Sequence, residues 1–74
     1  MVDYRDVRVF VRDGRHSGTA YTVTVWASGS GRYSLEEVAV EGLPVAKIAE
    51  GARYASLDEA FDAGHARSRE IIEG

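Results

Sequence analysis

The 74-residue chain has no cysteine and only one proline. Without cysteine it can form no disulfide, and it lacks the cysteine and histidine cluster that a structural zinc site needs. A domain of this size buries only about 60 to 65 percent of its unfolded surface, so its stability is marginal. We therefore expect stability to come from tight packing or from association with a second copy of the chain.

Long apolar runs are also missing. Residues 1–20 begin with charged side chains and alternate polar with apolar residues, which is neither the core of a signal peptide nor a membrane span. A chain without cysteine is compatible with a reducing compartment. These features predict one small cytoplasmic domain that covers residues 1–74 and has no contact with a membrane.

Lysine is scarce, because eight of the nine basic residues are arginine, and the net charge is -3. Residues 1–35 carry a charge of +2 (five basic, three acidic), whereas residues 36–74 carry -5 (four basic, nine acidic). A duplex-DNA binder normally shows a clear positive excess, so the composition argues against that class. Arginine suits bidentate and stacking contacts, which leaves room for a local basic patch in the first half.

The first half of the chain is dominated by alternation with a period of two. Val7, Val9 and Val11 are separated by polar or aromatic residues, and this pattern of β-branched side chains predicts a half-buried strand over residues 4–12. Turn-forming residues follow at positions 13–18. We expect the chain to reverse there.

Further strands are predicted after this reversal. Residues 19–27 alternate in the same way and should form a hairpin with the first strand. Residues 32–40 predict a third strand, in which the pair Glu36 and Glu37 interrupts the alternation and indicates a bulge or an edge. Residues 45–50 could form a strand or a helical turn, and we favour a strand.

The C-terminal segment has a different period, typical of an amphipathic helix. Ser56 is the expected N-cap, and Glu59 is the expected partner in a capping box. Its predicted inner face consists of Leu57, Ala60, Phe61, Gly64, Ser68, Ile71 and Ile72. The small residues in this set recur every four positions, which indicates close packing on the chain's own sheet, or alternatively a contact between the helices of a dimer.

Together these elements predict an α+β fold with two layers. The expected architecture is an antiparallel sheet of three or four strands, arranged as a β-meander, with one C-terminal helix packed on one face. A single helix can cover only one face of the sheet. The other face is therefore the first place to look for a binding site.

The composition of that open face depends on which residues of each strand point to the helix. If Val7, Val9 and Val11 do so together with the valines of the second strand, the pleat places aromatic and arginine side chains opposite the helix. The residues on that face would be Tyr4, Arg8, Phe10, Arg12, Thr22, Thr24 and Trp26. With the nearby loop, the candidate binding residues are Arg8, Phe10, Arg12, Arg15 and Trp26.

Three interpretations of this group are open. Aromatic residues and arginine commonly anchor protein interfaces, which predicts a homodimer or a complex with another protein. Aromatic rings interleaved with arginine also bind single-stranded nucleic acid through stacking and phosphate contacts. Alternatively, Phe10 and Trp26 form only a small second hydrophobic cluster under a loop. We favour the protein interface.

Catalysis is not expected. His16 is followed directly by Ser17, which is not a nucleophile and base arrangement unless the loop folds back, and His65 lies at the flank of the helix. The glycine-rich residues 28–32 lack the Gly-Lys-Ser/Thr ending of a phosphate loop. The prediction is therefore a binding protein without enzymatic activity, cofactor or metal ion.

The order of these elements, with Ala55-Ser56-Leu57-Asp58-Glu59-Ala60-Phe61-Asp62-Ala63-Gly64 leading into the helix and Ile71-Ile72-Glu73-Gly74 at its end, resembles small stand-alone bacterial domains of unknown function. It is also similar to HicB-type antitoxin domains, on Leu43-Pro44 and Glu59-Ala60, although the Gly-Cys that typically follows the Leu-Pro is absent. The first resemblance implies a β-meander closed by one helix. The second implies an antitoxin-like inhibitor.

Overall fold

The protein forms two layers, an antiparallel sheet and a C-terminal helix that crosses one of its faces. A computed structural model describes residues 8–27, 31–48 and 53–74. The elements are β1 (Arg8–His16), β2 (Thr19–Ala27), β3 (Tyr33–Val40), β4 (Ala46–Lys47), β5 (Arg53–Tyr54) and α1 (Leu57–Glu73). The strand order is β1-β2-β3-β4, and β5 also pairs with β3. The predicted α+β fold is confirmed, and within the described ranges no helix is long and apolar enough to cross a membrane.

The hairpin between β1 and β2 closes through a shorter turn than predicted. The backbone reverses at Ser17 and Gly18, whose φ angles are 50° and 79°. Two consecutive residues with positive φ are typical of a type I′ turn, which needs no further loop residues. The predicted break at residues 13–18 is therefore wrong, since β1 continues to His16; the predicted residues 4–7 lie outside the described part of the chain.

This turn also determines which face of β1 meets the helix. It pairs His16 with Thr19, and the same register places Phe10 opposite Val25 and Arg12 opposite Val23. Residues directly opposite each other in an antiparallel pair point to the same side of the sheet. The even-numbered residues of β1 therefore lie on the helix side.

The prediction that Val9 and Val11 point to the helix is wrong. Both valines are 56% exposed and lie on the face opposite α1. The valines of β2 do occupy the helix side, where Val23 and Val25 are fully buried. The error has a simple geometric cause: a two-residue turn pairs odd-numbered residues of β2 with even-numbered residues of β1.

The irregularity predicted in β3 is confirmed as a bulge. Leu35 pairs with Val25 and Glu37 pairs with Thr24, so Glu36 is an additional residue between two consecutive pairs. An extra residue in one strand reverses the alternation beyond it. As a result, the core side chains of β3 are spaced by three and then by two residues, and Leu35, Val38 and Val40 are all buried.

Two short strands continue the sheet beyond β3. The strand predicted at residues 45–50 is reduced to Ala46–Lys47, followed by a backbone hydrogen bond from Ile48 N to Glu36 O of 2.9 Å; residues 49 and 50 lie outside the described ranges. The strand Arg53–Tyr54 was not predicted, and it pairs with the beginning of β3. Both short strands lie along the same edge of β3, whereas the outer edge of β1 has no partner strand within the described ranges.

The helix begins as its sequence predicts. The Ser56 side chain accepts a hydrogen bond of 3.1 Å from the Glu59 backbone N–H, which satisfies one of the free donors of the first turn. The Glu59 carboxylate accepts one of 3.3 Å from Ala55 N–H, one residue before the expected partner. Ala60, Phe61, Gly64 and Ser68 are buried, and Leu57, Ile71 and Ile72 pack against the core, which confirms the predicted inner face.

The small residues of α1 allow close contact with the chain's own sheet. A Cβ atom placed on Gly64 would lie 2.3 Å from Val23 Cγ1 and 3.1 Å from Leu35 Cδ1. Ser68 is fully buried, and its hydroxyl donates a 2.8 Å hydrogen bond to the Gly64 carbonyl. This stripe therefore packs inside one chain, as the first of the two interpretations predicted.

Candidate interaction surface

The face of the sheet away from α1 has a regular composition, which follows from the strand register. We call it the open face. Its residues are Val9, Val11, Asp13 and Arg15 of β1; Ala20, Thr22, Thr24 and Trp26 of β2; Ser34, Glu37 and Ala39 of β3, with the bulge residue Glu36; Lys47 of β4; and Arg53 of β5. Cross-strand partners group them into rows, with an apolar row at one end and small side chains near the other.

The apolar end centres on a cross-strand pair of Val9 and Trp26. Val9 and Val11 are each 56% exposed, and Trp26 is 42% exposed. Val11 lies two residues from Val9 on the same side of β1, so the three side chains are neighbours. Isolated exposed apolar residues are common, but a contiguous group on an uncovered sheet face is typical of an interaction site.

The other end of the open face contains a shallow hollow of about 260 Å³. Its walls come from residues 20–22 of β2 and 39–41 of β3; three of these residues belong to the open face, and none belongs to α1. Ala20, Thr22 and Ala39 have short side chains there. The open face therefore has protruding apolar side chains at one end and a depression at the other.

Charges on the open face balance. Glu37 lies opposite Lys47 in the β3–β4 pair, and Asp13 accepts a 2.9 Å hydrogen bond from the Thr22 hydroxyl. Arg15 pairs with Ala20, Arg53 pairs with Ser34, and the Glu36 carboxylate accepts a 2.7 Å hydrogen bond from the Ser34 hydroxyl. Three acidic and three basic residues leave this surface without net charge, which differs from the basic surfaces that bind nucleic acid.

The five residues predicted to form one site are divided between the two faces. Arg15 and Trp26 lie on the open face, whereas Arg8, Phe10 and Arg12 lie on the helix side. Phe10 is half-buried and packs against the core. The placement of these three residues opposite the helix was wrong for the same reason as the placement of the valines: the closing turn reverses the faces of β1.

Arg12 has a structural environment on the helix side. Its guanidinium carbon lies 4.4 Å from the centroid of the Phe61 ring, a cation–π distance. One of its nitrogens lies 3.6 Å from Asp58 Oδ1. Arg12 thus covers one face of the Phe61 ring at the start of α1, and it does not stack beside Trp26.

Val9 and Val11 are the site residues that sequence reasoning missed. The sequence signal was the pair Ser17-Gly18, which can form a two-residue turn. Such a turn pairs His16 with Thr19, and in every other β1–β2 pair the two residue numbers also add up to 35. Odd-numbered buried residues in β2 then require even-numbered helix-side residues in β1. Recognition of this turn would have placed both valines on the open face.

The two histidines connect the helix to the hairpin at separate points. His65 Nδ1 lies 2.7 Å from the Tyr21 hydroxyl, and the two rings meet edge to face with centroids 5.5 Å apart. His16 Nε2 lies 3.3 Å from Glu73 Oε1 near the end of α1. Across the described residues, no group of three histidine or acidic side chains could hold a metal ion.

Comparison with known proteins identifies no relative. The chain matches no protein-family model, no curated protein and no solved structure. The resemblances to small bacterial domains and to HicB-type antitoxins therefore stay predictions from sequence. Arguments about function depend on the surface itself.

Proposed function

We propose that this protein is a non-catalytic binding module that associates with a second copy of itself through the open face. The observation that carries this proposal is the exposed cluster of Val9, Val11 and Trp26 on a sheet face that the helix leaves uncovered. Removal of apolar surface from water contributes roughly 25 cal/mol per Å². We also infer a cytoplasmic location, with which the absence of cysteine is compatible.

The shape of the open face supports a pairing of two copies face to face. The two-fold axis would lie between the two facing sheets, perpendicular to the strands, at the row that contains Val11 and Thr24. Rotation about this axis places one end of the open face against the other end of the partner's open face. Trp26 and Thr22 lie two residues on either side of this row, about 13 Å apart along β2. Each Trp26 would then contact the partner's hollow formed by Ala20, Thr22 and Ala39.

The charge and the area of the open face determine how strongly two copies are expected to associate. The three acidic and three basic residues of the open face cancel, so two open faces meet without net repulsion. Three long strands about 30 Å in length at spacings of about 4.8 Å present a flat area of roughly 450 Å². Because a standard interface buries about 800 Å² on each partner, we expect a weak dimer whose population depends on protein concentration.

The first prediction concerns this dimer. In sedimentation equilibrium from about 5 µM to about 500 µM, the wild-type chain should shift from monomer to dimer, with Kd in the micromolar range. Trp26→Glu should weaken association at least tenfold, roughly 1.4 kcal/mol, because it buries a charge in the partner's hollow. The emission of Trp26 should shift to shorter wavelength as the wild-type dimer forms.

Leu43→Glu is the matched control for that experiment. Leu43 is 51% exposed, comparable to Trp26, but it lies in the turn after β3 and not on the open face. This variant should associate like the wild-type chain. A wild-type protein that stays monomeric throughout the concentration range would contradict the proposal, as would equal weakening by the two variants.

The second prediction concerns single-stranded nucleic acid. Addition of a mixed-sequence oligonucleotide at low salt should leave the Trp26 emission unchanged. The reason is that Phe10 and Arg12 lie on the helix side, so the combination of stacked aromatic rings and arginine that such a site requires is not assembled around Trp26. Quenching that disappears on addition of salt would favour the nucleic-acid interpretation instead.

A further inference from the structure

A second surface lies at the outer edge of β1, beside the open face. On the far side of the sheet, β3 pairs with both β4 and β5, whereas β1 pairs only with β2 among the described strands. The strand Arg8–His16 has nine residues, and its register with β2 is continuous from end to end. An edge of this length is a template for another extended segment.

The register identifies the backbone groups that face outward. His16 and Thr19 close a two-residue hairpin, so they form a hydrogen-bonded pair, and pairs of this kind alternate along an antiparallel ladder. The N–H and C=O groups of the even-numbered residues of β1 are then directed at β2. Those of Val9, Val11, Asp13 and Arg15 are directed at the outer edge.

The usual features that block an edge strand are absent from β1. It contains no proline, and the bulge of this sheet lies between β2 and β3. Charged side chains are the one feature of β1 that hinders pairing at its edge. Charge at an edge does not exclude every partner, since it selects a segment of opposite charge.

The arrangement of that charge is specific. Arg8 and Arg12 lie on the helix side, four residues apart, with Phe10 between them, while Val9 and Val11 lie on the open side. Arg8, Arg12, Arg15 and Asp13 give the strand a charge of +2, which the contact between Arg12 and Asp58 offsets in part, although the chain as a whole carries -3. An added strand with acidic residues opposite the two helix-side arginines and apolar residues opposite the valines would match both sides.

A second copy of β1 matches this edge poorly. In the register that pairs the whole strand, Arg8 lies opposite His16 of the other copy and Arg12 lies opposite the same arginine of the other copy. Like charges directly opposite each other destabilise a strand pair. Charge therefore favours an acidic segment as the occupant.

From this geometry we infer that the outer edge of β1 binds an extended peptide segment by strand addition. The segment carries two acidic residues four positions apart, which meet Arg8 and Arg12, and β-branched apolar residues between them that meet Val9 and Val11. Pairs opposite even-numbered residues are not hydrogen-bonded, which brings their side chains closer together and strengthens the two ion pairs. The inference goes beyond the proposed dimer, because the peptide bonds to the outer backbone edge of β1, although both sites use the side chains of Val9 and Val11.

The probe is the synthetic peptide Ser-Glu-Val-Thr-Val-Glu-Ser, capped at both ends. Titrated into ¹⁵N-labelled protein at low salt, it should shift the amide signals of Val9, Val11 and Asp13 most, with Kd on the order of 0.1 to 1 mM. Those three amides should also gain protection from hydrogen exchange. The matched control replaces both glutamates with lysine and should bind at least about tenfold more weakly.

Methylation of the peptide backbone tests the register directly. N-methylation of the two valines should abolish binding, because their N–H groups would bond to Val9 and Val11, whereas N-methylation of the two glutamates should leave it intact. Equal binding by the lysine peptide, or shifts confined to the helix, would overturn the inference. So would protection of the three amides without peptide, which would show that this edge is already covered.

The same titration on Trp26→Glu separates this inference from the proposed dimer. That residue lies on β2, away from the outer edge, so the peptide should bind the variant with the same Kd even where dimerisation is lost. Loss of peptide binding in this variant, with its spectrum otherwise that of a folded protein, would contradict an independent edge site. Failure of the dimer alone would leave the edge site supported.

Discussion

The Gly64→Val variant is expected to be largely unfolded at room temperature. The first added carbon alone would lie 2.3 Å from Val23 Cγ1, and Val23 is fully buried between the helix and the sheet. Overpacking a core with a single methylene costs about 1 to 3 kcal/mol, and valine adds three carbons. The total stability of a domain with 74 residues is only about 4 to 11 kcal/mol.

Thermal unfolding followed by circular dichroism measures this effect. Ala66→Val is the matched control, because Ala66 lies on the same helix but beside a hollow with room for two more carbons. It should cost only the lower helix propensity of valine, about 0.6 kcal/mol. Gly64→Ala should be intermediate, and adding Val23→Ala should recover part of its loss. A Gly64→Val protein as stable as the Ala66→Val control would contradict the close contact.

The Phe61→Ala variant is expected to lose about 3 to 5 kcal/mol of unfolding free energy. Phe61 is 1% exposed and is the largest fully buried side chain of the core. Its removal leaves a cavity between α1 and the sheet, and it also removes the ring over which Arg12 lies. Chemical denaturation with urea should show a lower midpoint with a similar slope.

Two further variants separate the cavity from the cation–π contact. Phe61→Leu retains most of the apolar volume and should cost less than half as much as alanine. Arg12→Gln removes the cation–π contact and the ion pair with Asp58, and we expect about 1 kcal/mol or less because the arginine side chain is 51% exposed. A loss from Arg12→Gln as large as that from Phe61→Ala would show that the arginine, and not ring burial, dominates at this position.

These stability variants also serve as controls for the binding experiments, because they show what a loss of folding stability alone does. Gly64 and Phe61 lie under the sheet on the helix side, whereas Trp26 lies on the open face and the outer amides belong to β1. Substitutions in the first group should act on folding. Trp26→Glu should leave the unfolding midpoint nearly unchanged while it weakens association.

Local sequence was enough to specify α1. Ser56 and Glu59 begin the helix, and the spacing of Ala60, Phe61 and Gly64 defines its buried side, because helical periodicity is unambiguous over four turns. The bulge at Glu36 could also be predicted, since two adjacent charged residues break the alternation of a strand. In these segments the residues that determine the structure are neighbours in the chain.

The side of β1 that faces the helix could not be predicted in the same way, because a period of two does not indicate which of the two alternating sets of residues is buried. Val9 and Val11 on one face and Phe10 on the other are both apolar enough to be buried. The pairing of β1 with β2, set by the turn at Ser17 and Gly18, decided between them. That choice exposed the valines beside Trp26.

Other features of the surface depend on contacts between residues distant in the chain. The Tyr21 ring lies across Gly14, where an added Cβ atom would be 2.4 Å from the ring, and its hydroxyl reaches His65. The hollow at the end of the open face away from Trp26 forms only when β2 and β3 are side by side. Composition and periodicity thus specified the order of the three long strands, the helix and its inner face. Strand pairing specified the short strand Arg53–Tyr54 and the open face, because a strand acquires its two sides only from its neighbours.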